Sequence, residues 1–208
     1  MDFFDVVGTQ RAMRRLKPDP IPADAIRKIL DAAICAPSGG NRQGWSFIVV
    51  QDAAVRAKIG ALYHESFAEL ILSVPAYREA ATAAPDSPER KMINSAQHLA
   101  DHMSEAPVLI LACIATDGAR PGLTSGASIY PAVQNIMLAA RALGIGSTLT
   151  TVHHRFRHAE IKKVLGVPDD VEVAALIPLG YATGKFGRPP RRPVSEVVYA
   201  DAWGTPLR

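Results

Sequence analysis

The sequence lacks any hydrophobic run long enough to cross a membrane. A membrane-spanning helix needs roughly 18 consecutive apolar residues, whereas the longest apolar run here, Val108 to Ala115, has the length of a strand. The chain opens with Met1-Asp2-Phe3-Phe4-Asp5, which has neither the basic start nor the apolar stretch of a secretory signal. We therefore expect a cytoplasmic protein that does not bind a membrane.

Cysteine is also scarce, because the chain has only Cys35 and Cys113. Both lie in apolar stretches, and neither has a cysteine or histidine at the spacing of a metal site. A structural disulfide would be unusual in a cytoplasmic protein. We expect two buried thiols.

Neither sign of charge dominates, since the net charge is only +3. The basic residues nevertheless form two clusters, which consist of Arg11, Arg14, Arg15 and Lys17, and of Lys185, Arg188, Arg191 and Arg192. Two such clusters can flank one anion, or they can be solvated surface. Binding of single-stranded nucleic acid requires interleaved aromatic residues, and Phe186 alone lies among these clusters, so we expect no nucleic-acid partner.

Several well-known catalytic motifs are missing. The chain has no GxxxxGK sequence and no serine in a GxSxG elbow, and Gly144-Ile145-Gly146 lacks the third glycine of a dinucleotide-binding turn. Adjacent His153 and His154 would point to opposite faces of a strand, which disfavours joint metal binding. His98 and His102 share a helical face, but no carboxylate motif accompanies them, so we expect no metal.

What the sequence does contain is an alternation of helices and short apolar strands. Helical patterns cover about 2–10, 23–35, 53–72, 90–105, 127–143 and 158–165, and strand patterns cover about 45–50, 108–115, 149–152 and 171–179. The first helix would pack Phe3, Phe4 and Val7. The pattern predicts one α/β or α+β domain over residues 1–208. It also predicts a loop over 117–123, a mobile lid or insertion over 76–89 and a C-terminal arm over 181–208.

The most informative segment is APSGGNRQGW at 36–45, between a predicted helix and a predicted strand. Its small residues let the backbone approach a ligand closely. Ser38, Asn41 and Gln43 add side chains that form hydrogen bonds. On this chemistry alone, two interpretations stay open: a ligand site beside strand ends and a tight turn with solvated polar residues.

Several motifs, in order along almost the whole chain, resemble those of the nitroreductase family. TQRAMRRLKP at 9–18 is similar to the family's opening arginine-rich loop. APSGGNRQGW at 36–45 resembles its APSGxNxQPW loop, with Gly44 where proline is usual. PAVQNIMLAA at 131–140 resembles the central dimer helix. Further along, 144–146 resembles the GLG that follows this helix, and LGY at 179–181 with RRPVSEVV at 191–198 resembles the closing elements.

The resemblance implies an α+β fold, in which helices wrap a central, mostly antiparallel sheet and two subunits intertwine as a homodimer. It implies FMN at the dimer interface, with each site built from both chains. NADH or NADPH would donate a hydride to the flavin in a ping-pong cycle. A small organic acceptor, such as a nitroaromatic compound or a quinone, would then be reduced.

The resemblance also assigns residues to the flavin site. Arginines from the opening loop and the arm would hold FMN through charge-assisted hydrogen bonds, and Arg14 would stabilise the negative charge of the reduced ring. The loop at 37–41 would come from the partner subunit, and backbone amides at 149–151 would line the ring edge. The full set is Arg11, Ala12, Met13, Arg14, Pro37, Ser38, Gly39, Asn41, Leu149, Thr150, Thr151 and Arg191. No catalytic side chain is required, because solvent can supply protons.

The chain departs from the family at two positions of the opening loop. Gln10 and Ala12 stand where arginine and serine are common, which leaves the phosphate contacts open. His102 falls roughly where a lysine often faces the flavin. Other reactions on the same flavin, such as enone reduction or dehalogenation, remain alternatives, and so does a flavin-binding protein that stores or senses FMN without turnover.

Overall fold

The computed structural model describes residues 1–116 and 122–207. The helices are α1 (Phe3–Thr9), α2 (Ala23–Ala33), α3 (Ala53–Ser73), α4 (Pro75–Thr82), α5 (Pro88–His102), α6 (Leu123–Ala142), α7 (His153–Phe156) and α8 (His158–Leu165). The strands are β1 (Trp45–Val50), β2 (Val108–Ala115), β3 (Gly146–Ser147) and β4 (Val171–Gly180). Of the loop expected over 117–123, residues 117–121 lie outside the described residues. None of the helices described here is long and apolar enough to cross a membrane.

The four strands form one sheet in the order β1-β2-β4-β3, and each neighbouring pair is antiparallel. At the β3 edge, an isolated parallel bridge joins Ala12 to Ser147. Since strands separated by long helical segments pair in antiparallel fashion, the fold is α+β rather than a parallel α/β fold. The expectation of a mostly antiparallel sheet wrapped by helices is confirmed.

Strand β2 lies at the centre because both of its faces are apolar. Successive side chains of a strand point to opposite faces. The β2 residues that point to the same face as Ile110 therefore pack with α2 and α6. Those that point to the same face as Leu111 pack against α3, α5 and α8. Ile29 and Ile136 are fully buried on the first side, and Phe67 is almost fully buried on the second. Burial on both faces explains why the strand reads as an unbroken apolar run.

The segment predicted as a mobile excursion over 76–89 is largely helical, and its mobility stays a prediction. Helix α4 occupies Pro75–Thr82 and buries Ala80, and α5 already begins at Pro88. The Ser87 hydroxyl accepts a hydrogen bond from the Arg90 amide and caps α5. The abundant alanine that suggested an irregular excursion instead favours helix. The role of the segment as a lid stays a prediction.

Two burial expectations are wrong. Cys113 is buried, and its burial raises the pKa of the thiol to about 11, but Cys35 is exposed at the end of α2. In α1, Val6 is the buried residue, whereas Phe3 and Phe4 are 64% and 77% exposed. The two phenylalanines therefore form an exposed apolar surface on α1.

Candidate functional site

The arginine-rich segment 11–17 is held across one end of the sheet by backbone hydrogen bonds. The Met13 amide donates to the Ser147 carbonyl at 2.9 Å, and the Lys17 amide donates to the Tyr181 carbonyl at 2.7 Å. The Thr183 amide donates in turn to the carbonyl of Arg15 at 3.0 Å. The segment is therefore fixed along β3 and along the exit of β4.

Two glycines of the sheet allow the segment to lie this close. A Cβ atom on Gly180 would lie 2.9 Å from the Leu16 Cβ and 3.1 Å from the Lys17 carbonyl oxygen. A Cβ on Gly146 would lie 3.0 Å from Met13 and Leu16 side-chain atoms. The glycines at these positions are thus required by close packing of the segment against the sheet.

We expect Gly180→Ala to lower the melting temperature by about 3–10 °C, because overpacking of this kind costs about 1–3 kcal/mol. Thermal unfolding followed by circular dichroism measures the shift. Gly187→Ala is the matched control, since a Cβ there meets no described residue within 4 Å. Equal melting temperatures for the two variants would show that the segment does not depend on this contact.

Arg14 is half-buried, with aromatic hydroxyls and another arginine as its neighbours. Burial lowers the pKa of its guanidinium group, Tyr63 and Tyr77 act in the opposite direction, and the nearby Arg11 lowers the pKa further. Within residues 1–116 and 122–207, no ion pair joins Arg11 or Arg14 to a carboxylate. Two neighbouring guanidinium groups therefore have no anion from the described part of the chain.

The segment after β3 lies near Arg14 because it contacts Tyr63, which is a neighbour of Arg14. The Tyr63 hydroxyl lies 3.1 Å from the Thr150 hydroxyl, and burial raises the pKa of the tyrosine. Thr150 also exchanges two backbone hydrogen bonds with Leu176 of β4, each of 3.0 Å. Its amide is consequently occupied by β4, and contact of this residue with a flavin stays a prediction. Leu149 and Thr151 flank it and are partly exposed.

The loop at 36–43 has an unusual backbone. Gly40, Asn41 and Gln43 all have φ between 51° and 59°, which is uncommon for the two residues other than glycine. The Ser38 hydroxyl accepts a hydrogen bond from the Gln43 amide, and the Gly39 amide donates to Ser128 of α6. This strained turn borders a cavity of about 610 Å³, which is lined by Ser38, Gly39, Gly40, Arg42, Gly44, Ile114, Ala115, Thr116, Thr124, Ser125 and Ser128.

The arginine segment and the 36–43 loop lie at opposite ends of β2. The loop leads into β1 beside Ala115, whose amide donates to the Gly44 carbonyl. Leu16 and Lys17 instead approach Gly180 beside Pro107, which precedes β2. At about 3.4 Å per residue, the eight residues of β2 separate these ends by roughly 24 Å. One chain therefore does not bring together the two predicted halves of the site.

Arg191 lies in the C-terminal arm and is exposed. Its guanidinium donates to the carbonyl of Pro190, its own neighbour. The arm begins close to α1 and α6, because the Arg141 guanidinium stacks over the Phe186 ring at 4.2 Å and also donates to Thr9. The hydrogen bonds and ion pairs found within residues 1–116 and 122–207 do not join Arg191 to Arg11 or Arg14.

Comparison with known proteins decides the family. A sequence model of the nitroreductase family matches residues 7–181. The chain belongs to this family. An NADH dehydrogenase of Thermus thermophilus is 30% identical over 194 residues, which cover 91% of each chain. An iodotyrosine deiodinase of Thermotoga neapolitana is 25% identical over 191 residues, covering 92% of this chain and 94% of the relative. A Bacteroides fragilis nitroreductase with bound FMN has a TM-score of 0.69 at 21% identity, covering 97% of this chain and all of that one.

For this member of the nitroreductase family, sequence reasoning missed a group of histidines. His153 and His154 lie on helix α7 rather than on a strand, so their side chains turn towards His158 instead of pointing apart. The reason is that the chain leaves the β4 edge after Thr150 and begins a helical turn. Burial lowers the pKa of His153 to about 3. Tyr63 and Tyr77, which approach Arg14 from α3 and α4, had no sequence signal beyond helical periodicity.

Proposed function

We propose that the protein is an FMN-dependent oxidoreductase that takes a hydride from NADH or NADPH and reduces a small organic acceptor. The observation that carries this proposal is the placement of Arg11 and Arg14. These are neighbouring guanidinium groups on a fixed segment, and no carboxylate pairs with them among the described residues. A dianionic phosphate is the ligand that such a pair binds best.

The residues present fit FMN in three ways. Arg11 and Arg14 would supply charge for the phosphate, and their segment is hydrogen-bonded to Ser147 and Tyr181. Arg14 is half-buried, so its charge is less screened by solvent than that of a surface arginine. The Tyr63–Thr150 pair places two hydroxyls beside it.

Bound FMN would supply the redox chemistry, since its ring accepts a hydride and passes electrons on. The chain would supply binding, orientation and charge. Arg14 would remain protonated and would favour negative charge that develops beside it. Ala12 and Met13 would position the arginines through the bridge to Ser147. Helix α4 brings Tyr77 near Arg14, which would place the predicted lid over the same site.

We further propose that the site is completed by a second copy of the chain. The loop with Pro37, Ser38, Gly39 and Asn41 lies roughly 24 Å along β2 from the arginine segment, so that the partner's loop would close the site. Several large apolar side chains are left exposed, as expected of a surface buried on dimerisation. They include Phe3, Phe4, Leu123, Val194, Trp203 and Leu207.

Reductive dehalogenation is a second candidate reaction at the same site. The observation in its favour is the likeness to the Thermotoga neapolitana protein named iodotyrosine deiodinase, which extends over almost the full length of both chains. The two reactions would share FMN and the arginines. Turnover of halogenated tyrosine against turnover of nitroaromatic compounds or quinones by the purified protein separates them.

The absorbance spectrum of the purified protein tests the proposal. We expect a yellow protein, or one that becomes yellow after incubation with FMN, and we expect NADH or NADPH to bleach it under anaerobic conditions. Addition of a quinone or a nitroaromatic compound should restore the colour. Yellow protein that no nicotinamide bleaches would favour a flavin-storage role, and protein that stays colourless with FMN would overturn both.

A further inference from the structure

A second group of polar side chains lies away from the arginine segment, between α7, α8 and β4. We call His153, His154 and His158 the histidine cluster. One ring nitrogen from each of the three side chains lies within 4.8 Å of the corresponding nitrogens of the other two. The ring centroids of His153 and His154 are 4.5 Å apart, and those of His154 and His158 are 4.8 Å apart. Glu172 of β4 faces two of these rings.

Backbone carbonyls fix the protonation of two of the rings. Nε2 of His153 donates to the Val173 carbonyl, and Nε2 of His154 donates to the Ala174 carbonyl, both at 3.1 Å. A carbonyl only accepts hydrogen bonds, so each Nε2 carries the proton and each neutral ring has its lone pair on Nδ1. A hydrogen bond of this kind is what orients histidines that ligate metals.

The Nδ1 lone pairs of these rings receive no hydrogen bond from a donor within residues 1–116 and 122–207. His153 is 0% exposed, yet its Nδ1 has no partner there. Nδ1 of His154 lies 3.7 Å from a carboxylate oxygen of Glu172, so a lone pair faces a negative charge. Nε2 of His158 lies 2.6 Å from the same oxygen, but outside hydrogen-bond geometry, and its Nδ1 is unpartnered as well. Buried polar atoms left in this way are costly, and a cation at their centre would satisfy them together.

We propose that the histidine cluster, with Glu172 as the fourth ligand, binds a divalent transition-metal ion, for which Zn²⁺ is the best match. Three imidazoles and one carboxylate suit Zn²⁺, whereas Mg²⁺ and Ca²⁺ prefer oxygen ligands. Four protein ligands fill a tetrahedral shell, which is the arrangement of a structural site. The site ties α7 and α8 to β4.

The site is accessible and has room to contract. His154 and Glu172 line a cavity of about 450 Å³, together with Thr151 and Tyr130. Zn–N bonds of about 2.0–2.1 Å place tetrahedral ligands about 3.3 Å apart, so binding draws the side chains together by rotation into this space. Because α7 follows Thr151 after a single residue, the ion also holds the Thr150–Thr151 segment in place.

Metal analysis of the purified protein tests the site. The protein is stripped with EDTA and dialysed against ZnCl₂, after which zinc is counted per chain and the affinity is measured by competition with a chromogenic chelator. We expect one Zn²⁺ per chain. His158→Gln and Glu172→Gln should each weaken binding by at least about 100-fold, since loss of an outer-shell partner alone costs about 10–100-fold. The double variant His98→Gln/His102→Gln removes the other closely spaced histidine pair, and it should retain the zinc content and zinc affinity of the parent chain.

Thermal unfolding gives a second measurement that does not depend on catalysis or on flavin. Zn²⁺ at about 100 times the Kd of the parent chain should raise the melting temperature of that chain by about 5–10 °C and that of His158→Gln by about 2 °C at most. The two residues replaced, His158 and Glu172, are partly exposed, which guards against simple misfolding. Absence of retained zinc, or equal retention by His158→Gln, would overturn the proposal, and so would loss of zinc in the control pair.

Discussion

Replacing Arg14 by glutamine should weaken FMN binding by about 100-fold. A hydrogen bond to a charged group contributes about 1.5–3 kcal/mol, and an arginine can donate two to one phosphate. Loss of about 3 kcal/mol corresponds to about two factors of ten in Kd. Quenching of FMN fluorescence during titration of apoprotein measures the change. Arg14 is better suited to this test than Arg191, which is exposed and hydrogen-bonded to its own neighbour.

The control for this variant is Arg15→Gln, which removes the same charge one residue away. Arg15 is exposed and its guanidinium lies 3.2 Å from His98. The Arg15→Gln variant should bind FMN with an affinity close to that of the parent chain.

The stability of the apoprotein adds a second criterion. Burial lowers the pKa of Arg14 and no described carboxylate pairs with it, so the charged form gains no stability from folding. Arg14→Gln should therefore not lower the melting temperature. Equal FMN affinities for the two variants would remove Arg14 from the site.

The sheet and its helices were predictable because hydrophobic periodicity is a local property of the sequence. Strand β2 is apolar at every position, which is typical of a strand buried on both faces, and α8 was expected over the residues that form it. The exit of β3 was less predictable. Residues 149–152 resemble a strand, yet only Thr150 pairs with β4. Long-range pairing at that edge depends on Gly146 and Gly180, which admit the arginine segment.

The candidate site was predictable only in part, because its members come from distant elements. The resemblance supplied Arg14 and Thr150, which the structure brings near Tyr63. It could not supply Tyr63 or Tyr77, because an aromatic residue on a helix is more often a core residue than a site residue. The histidine cluster was missed for a different reason. Adjacent histidines point to opposite faces of a strand but can point towards one another on a helical turn. Because His153 and His154 were interpreted as strand residues, their proximity was not predicted from the sequence.

The separation of the two half-sites along β2 leads to a test of assembly that depends on which chain supplies which half. A Cβ on Gly39 meets nothing within 4 Å among the residues that the structure describes. Gly39→Leu should therefore fold normally and block a ligand only where the loop reaches a partner's site. Homodimers of Gly39→Leu and homodimers of Arg14→Gln should both bind FMN poorly.

A heterodimer of these two variants should recover one good site. If each site takes its arginines from one chain and its loop from the other, one site of the heterodimer carries both changes and the other carries neither. Co-expression with two different affinity tags, followed by purification on both, isolates heterodimers, and flavin absorbance counts the bound FMN. We expect one tightly bound FMN per heterodimer. A site built within a single chain would leave every site altered and the heterodimer as poor in FMN as its parents, because each chain would still carry its own defect.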